Sequence, residues 1–285
     1  QSLHLSHWKE SIEMIFLRNF SLLLMLLIFV SCELDGFLFN ERQIDQYALP
    51  GNSIPDSLLE QVIIQSEGND LYGYLVKSGD PLTKKAILYC HGNKHNMDEY
   101  WARILWLSEL GYNVFIFDYR GFGLSEGESS EESMYRDAES ALEFLRSRDL
   151  TDSLILYGYS LGNVASIYLA ASKINPICLI AEAPFASENS LTQGSIVLDL
   201  PQNWLTEGRF DNSVEVKKIN TPFLLIHGSE DDFVRYRDNG RVVFANAPEP
   251  KRLVLVEGAD HENIQEIMGV DNYLDLIRDW IRRSQ

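Results

Sequence analysis

Leu154-Ile155-Leu156-Tyr157-Gly158-Tyr159-Ser160-Leu161-Gly162 is the stretch whose reading decides the fold. Its first four residues read as a buried strand, and a helix of small residues follows over 161–171. Gly158 and Gly162 bracket Ser160 between the two. A chain that turns so sharply from strand to helix strains the backbone at the turn, and side chains at the flanking positions would clash. The turn lifts the Ser160 hydroxyl above the sheet edge. It also sets that residue at a helix N-terminus, where the dipole and free N–H groups favour negative charge. The five-residue pattern alone is weak, since with glycine and serine each near ~7% it arises by chance in roughly one chain of ten of this length. Its setting between strand and helix gives it weight.

Outward from this turn the chain alternates strands and helices. Val62–Ile64 and Leu71–Val76 flank Glu67-Gly68-Asn69-Asp70 as a hairpin. Short apolar runs at Ala86–Cys90, Val114–Phe117, Ile177–Ala181, Phe223–Ile226 and Leu253–Val256 read as buried strands. Helical spacing covers Tyr100–Leu110, ending at Gly111, then Ser130–Arg146, about 236–246, and Asp271–Arg282. The expected class is α/β: a mostly parallel central sheet with helices on both faces. The stretch 184–220 breaks the alternation and carries Phe185, Trp204 and Phe210, so a small lid-like insertion is expected there.

A serine hydroxyl needs a base to take its proton, usually a histidine oriented by a carboxylate. After such a strand–turn–helix nucleophile the chain order is serine, acid, histidine. Only His227 and His261 follow Ser160. His261 lies in the loop after the last strand, where it can lean over the site, and is expected to be the base. His227 ends a strand and is expected to be structural. Ser229-Glu230-Asp231-Asp232 offers three carboxylates, and position alone does not choose among them.

The whole chain has 285 residues, 45% apolar and 23% charged, with a formal net charge of −18. That suits a domain with a sizeable core and argues against nucleic acid or an anionic membrane surface as a partner. Of three cysteines, Cys90 and Cys178 sit in apolar strands. No metal-type cysteine spacing or phosphate-cradling loop is present, so neither a metal nor a cofactor is expected.

Cys90-His91-Gly92-Asn93, Asp118-Tyr119-Arg120-Gly121-Phe122-Gly123-Leu124-Ser125, the Ser160 pentapeptide, His227-Gly228-Ser229-Glu230-Asp231-Asp232-Phe233-Val234 and Asp260-His261 occur in this order. Together, over about residues 58–283, they resemble the α/β-hydrolase superfamily. The nearest branch is similar to the Bem46-like and serine-aminopeptidase-like (S33-type) hydrolases. The resemblance implies a Ser160–His261–Asp231 triad, with Asp232 beside the acid as its alternative, and an oxyanion hole from the backbone N–H groups of Asn93 and Leu161. Asn163 departs from the pattern, standing where relatives often have glycine or alanine. The implied activity is a serine hydrolase acting on a small-molecule or acyl-chain ester or thioester. A peptidase or amidase of the same fold, or a non-catalytic surface-tethered binding protein, are the alternatives. Asp118 and Arg120 are expected to hold a loop, and His95 to lie at the surface. Glu182 is expected either to bind a cationic substrate group or to be a hydrogen-bonded loop carboxylate.

Residues 20–30 form an apolar run interrupted by one polar residue, with Arg18 before it and Ser31-Cys32 after it. This is too short to span a membrane and suits a signal-peptide core. The junction resembles a bacterial lipoprotein processing site. The expected organisation is a signal peptide over 1–32, a tether over 33–57 and an α/β-hydrolase domain over 58–285. Met14 opens a tidy signal, so residues 1–13 are expected to lie outside the natural product. A lipid on Cys32 would place the protein at the bacterial cell envelope, facing outside the cytoplasm; plain secretion is the alternative.

Overall fold

The computed structural model describes residues 39–49, 54–194 and 210–285. The expected signal peptide, Cys32, the start of the tether and Trp204 lie outside the described residues. Residues 1–40 and 41–285 are separate units. Only Phe39 and Asn40 of the first are described; the second holds the sheet, the helices and the candidate site.

Among the described residues eight strands form the central sheet: β1 (Leu59–Ser66), β2 (Asn69–Val76), β3 (Lys85–Cys90), β4 (Asn113–Phe117), β5 (Ser153–Tyr159), β6 (Cys178–Glu182), β7 (Phe223–Gly228) and β8 (Lys251–Val256). Their spatial order is β8-β7-β6-β5-β3-β4-β2-β1. β2 runs antiparallel to both its neighbours, and every other pairing is parallel. β4, β6 and β7 are buried along their whole length, as strands covered on both faces must be. β1, at the edge, alternates instead.

Among the described residues the helices are α1 (Trp101–Ser108), α2 (Glu131–Ser147), α3 (Gly162–Ser172), α4 (Glu188–Gly194), α5 (Asn212–Glu215), α6 (Gly240–Asn246), α7 (Ile264–Met268) and α8 (Val270–Ser284). Successive strand residues face opposite sides of a sheet. Accordingly Tyr89 of β3, Ile116 of β4 and Ile155 of β5 cluster with Ile104 of α1 and Ile277 of α8. α2 and α3 pack on each other and on β3 and β5 respectively. Each fully buried large apolar side chain in such a core contributes about 1.5–3 kcal/mol. α2 begins with a reciprocal cap, in which Ser130 Oγ accepts from Ser133 N–H and Ser133 Oγ accepts from Ser130 N–H. Exchanges of this kind are worth about 1 kcal/mol.

Most helix starts lie within one residue of their sequence spacing; the helix expected from Tyr100 begins at Trp101, after a 3-10 turn over Met97–Tyr100. The helix expected from about 236 begins at Gly240, because Asn239 before it takes a non-helical backbone and its side chain is bonded elsewhere. Its side-chain oxygen accepts from Ala186 N–H at 3.0 Å and Ser190 Oγ at 2.5 Å. Asn212 Nδ2 donates to Phe185 O at 3.0 Å, so the two described ends of the 184–220 excursion are pinned together. Residues 41–49, within the expected tether, bond to the loop after β4. Ile44 N–H donates to Gly123 O at 3.0 Å, and Tyr47 Oη donates to Asp118 Oδ2 at 2.7 Å.

Candidate active site

β5 ends at Tyr159 and α3 begins at Gly162, so Ser160 and Leu161 make the whole turn. Ser160 takes φ +50°, a region that costs a non-glycine residue of order 1–3 kcal/mol. The surroundings over-determine it. Ser160 N–H donates to Glu182 O of the neighbouring strand at 3.0 Å. Asn163 Nδ2 donates both to Ser160 O at 3.0 Å and to Glu182 O at 2.9 Å. The residue that departs from the family pattern therefore clamps the turn. A Cβ at Gly158 would come within 2.2 Å of Ser166 Oγ, and one at Gly162 within 2.0 Å of Cys90 O. Neither position has room for a side chain.

Two loops at the C-terminal edge of the sheet converge on this turn. The loop after β7 carries Asp231, and the loop after β8 carries His261. His261 Nε2 lies 3.0 Å from Ser160 Oγ, and His261 Nδ1 lies 2.7 Å from Asp231 Oδ2. An ionised carboxylate only accepts, so Nδ1 carries the proton and Nε2 is left to accept from the serine hydroxyl. Asp231 Oδ1 accepts from the backbone N–H groups of Phe233 at 3.0 Å and Val234 at 2.7 Å. Burial alone would raise the Asp231 carboxyl, but hydrogen bonds from His227, His261 and the Val234 amide hold it well below the usual carboxylate range. Asp232 is exposed, so of the adjacent pair it is Asp231 that meets His261. The His261 ring is flanked by Tyr159 at 5.4 Å and Phe233 at 5.1 Å between centroids. Tyr159 Oη also donates to His261 O at 3.0 Å.

The loop after β3 stands beside the turn because β3 is paired with β5, Cys90 opposite Gly158. Asn93 lies in this loop and Leu161 at the entry to α3. The Tyr100 hydroxyl holds the loop by accepting from Lys94 N–H at 2.7 Å. Amide groups in the first turn of a helix lack intrahelical acceptors, and that makes the entry to α3 suited to developing negative charge. Among the described residues no group of three His, Cys, Asp or Glu side chains is arranged to hold a metal ion.

Glu182 is a fully buried structural carboxylate. It pairs with Arg103 from α1 and accepts from Tyr157 Oη, from Tyr273 Oη at 2.8 Å and from Gln265 Nε2 at 3.0 Å. Arg103 also stacks its guanidinium 4.0 Å over the Tyr159 ring and donates to Glu262 O at 3.3 Å, in the His261 loop. Burial opposes both charges, and their mutual attraction outweighs it. The Glu182 carboxyl is held below its ordinary range and the Arg103 guanidinium above its own. Arg103→Met leaves Glu182 buried without a counter-charge, and is expected to cost about 3–5 kcal/mol of stability, read as a lowered denaturant midpoint.

Asp231 and Glu182 are both depressed on folding. The folded chain thus binds fewer protons at these sites than the unfolded chain. Their contribution is complete above the unfolded values near ~4 and falls away as pH drops through the folded ones. Urea midpoints measured from pH 7 down to pH 3 are expected to decline most steeply below about pH 4; a flat profile across that interval contradicts the pairing.

Asp118 and Arg120 serve the scaffold. Asp118 Oδ1 accepts from Met97 N–H at 2.8 Å, and Arg120 Nε donates to Asp137 Oδ1 at 2.8 Å. His95 is partly exposed and its Nδ1 lies 3.2 Å from Glu99 Oε1. Cys90 and Cys178 are buried free thiols, and burial pushes the Cys90 thiol up to about 12. Sequence spacing singles out neither Asn163 nor Arg103 as a support of this site. The available signal is a polar or charged residue within a helix otherwise apolar or small.

The sheet order, the strained serine turn and the two converging loops define a hydrolase of the α/β class. The chain belongs to the α/β-hydrolase superfamily: it is 31% identical over 224 residues to the human α/β hydrolase domain-containing protein 17B, covering 77% of this chain and 73% of that one. The family model described as serine aminopeptidase, S33, matches residues 81–207. The Escherichia coli (strain K12) protein YfhR, itself uncharacterized, is 29% identical over 227 residues, covering 75% of this chain and 77% of its own length. Among solved structures, the Pyrococcus furiosus esterase Pf2001 superposes with a TM-score of 0.70 at 20% identity, covering 86% of this chain and 98% of its own. The fold agrees with the sheet and helix layers expected from the sequence.

Proposed function

We propose that the protein is a serine hydrolase that cleaves carboxylic ester or thioester bonds through an acyl-enzyme. The observation that carries this is the unbroken hydrogen-bonded line from Ser160 through His261 to Asp231, starting at a turn that holds the serine at positive φ. Ser160 Oγ attacks the carbonyl carbon as its proton passes to His261 Nε2. Asp231 keeps the imidazole in the required tautomer and stabilises its cation. The Leu161 and Asn93 N–H groups are assigned to the oxyanion. His261 then protonates the departing alcohol or thiol, and later takes a proton from the water that releases the acid. A fluorophosphonate probe is expected to label the wild-type protein and not Ser160→Ala. Failure to label folded wild-type protein would favour a binding protein on this scaffold.

The serine aminopeptidase match favours a second reading, amide or peptide cleavage with the same residues. Turnover of acyl p-nitrophenyl esters against aminoacyl anilides separates the two, and dominant anilide turnover overturns the esterase assignment. No helix among the described residues is long and apolar enough to cross a membrane. We further propose that Cys32 carries a lipid that tethers the enzyme to the outer side of a bacterial membrane. Incorporation of an alkyne fatty acid that is lost in Cys32→Ala tests this.

A further inference from the structure

His227 is completely buried at the end of β7, beneath the loop that carries Asp231, and the acyl-transfer steps leave it without a task. Its Nε2 lies 2.7 Å from Val234 O and 3.3 Å from Asp231 Oδ2. A carbonyl oxygen only accepts, so Nε2 carries a proton. Nδ1 is buried with no hydrogen-bond partner. It lies against Gly240 at the start of α6, where a Cβ would come within 2.4 Å of it. A second proton at Nδ1 would find no acceptor, which makes the ring a neutral donor in a fixed orientation. Asp231 Oδ1 accepts from two backbone amides, and Oδ2 meets His261 Nδ1 at 2.7 Å with His227 Nε2 3.3 Å away.

We propose that His227 is a positioning residue for the Ser160–His261–Asp231 line: it shares its Nε2–H with Asp231 Oδ2, fixing the plane of the carboxylate and sharing the oxygen that faces His261. This rests on the acyl-transfer reading of the same site. The ionisable groups around the pair are Tyr236, edge-on to His227 at 5.5 Å, and on the His261 side Tyr159, the chain neighbours Asp260 and Glu262, and Arg103 over the Tyr159 ring. Without the His227 donor, Oδ2 presents its charge to His261 alone. The protonated imidazole is then favoured, and more base is needed before His261 can accept a proton from Ser160.

The test is the pH profile of kcat/KM on a p-nitrophenyl ester, with active sites counted by fluorophosphonate titration. His227→Phe keeps a ring and removes the donor. It is expected to lower kcat about 10- to 100-fold with KM changed less than about threefold, and to move the acid limb up by about half a pH unit. His227→Gln returns an N–H at similar reach and is expected to restore the limb and kcat to within about threefold of wild type. An unmoved limb in His227→Phe, or a Gln variant no better than Phe, overturns the proposal. Should the Phe variant not fold, long-range 1H–15N spectra of the wild-type protein decide: an Nε2–H tautomer supports the role and an Nδ1–H tautomer overturns it. Ester turnover retained by Ser160→Ala overturns acyl transfer itself. Turnover lost in Ser160→Ala with an unmoved His227→Phe profile overturns the His227 role alone.

Discussion

Ser160→Ala is expected to lower kcat for an activated ester by about 10^5- to 10^6-fold and to leave the fold in place. The size of the loss comes from what the hydroxyl does. Without Oγ there is no atom for the acyl group to join, and His261 has no proton to take. The binding and oxyanion surroundings remain, and in comparable sites these still give about 10^3- to 10^4-fold over water. The fold is expected to persist because the strained turn is held by backbone and by Asn163, not by the serine side chain. Ser160 N–H still reaches Glu182 O, and Asn163 Nδ2 still bonds Ser160 O and Glu182 O. Thermal melts check the second half of this expectation and burst kinetics the first. A variant with native melting and more than about one-hundredth of wild-type turnover would remove Ser160 from the chemistry.

Asp231→Asn is expected to lower kcat by about 10^4-fold at neutral pH. The hydrogen bonds around the carboxylate decide why. Oδ1 accepts from two backbone amides, Phe233 and Val234, so the asparagine must place its carbonyl oxygen there. Its NH2 group then replaces Oδ2 and points at His261 Nδ1. Nδ1 must accept, its proton moves to Nε2, and Nε2 now donates toward Ser160 where it should accept. The base is lost though no side chain has left its place. The same NH2 also faces His227 Nε2, donor against donor, which is expected to cost about 1–3 kcal/mol of stability. Activity of Asp231→Asn within about tenfold of wild type would assign the acid role to another carboxylate, with Asp232→Asn the next variant to measure.

Much of this site is legible in the chain because its signals are local. A buried strand, a glycine-flanked serine and a small-residue helix specify the turn through backbone sterics. The order of serine, acid loop and histidine loop reflects strands entering a parallel sheet one after another. Ser160 and His261 can be named as candidates on those grounds. Position alone leaves Glu230, Asp231 and Asp232 open, and the resemblance points to Asp231; in the structure two amides close on one Asp231 carboxylate oxygen and turn it inward, and Asp232 is exposed.

The supporting residues are harder still to find. Arg103 meets Glu182 across 79 positions of sequence and reaches the His261 loop as well. Asn163 stands out in the chain only as a departure from a pattern, and it is the clamp of the turn. His227 reads as the end of a strand and stands against Asp231. Periodicity and turn chemistry report how each segment satisfies its own backbone and which face it buries, so the class of fold and the serine are determined by the chain alone. Which buried polar groups find one another depends on sheet register and on how loops cross it, and those are set by packing over the whole domain. The resemblance implies Asp231 as the partner of His261; the inward turn of that side chain, and the second imidazole behind it, were decided only in three dimensions.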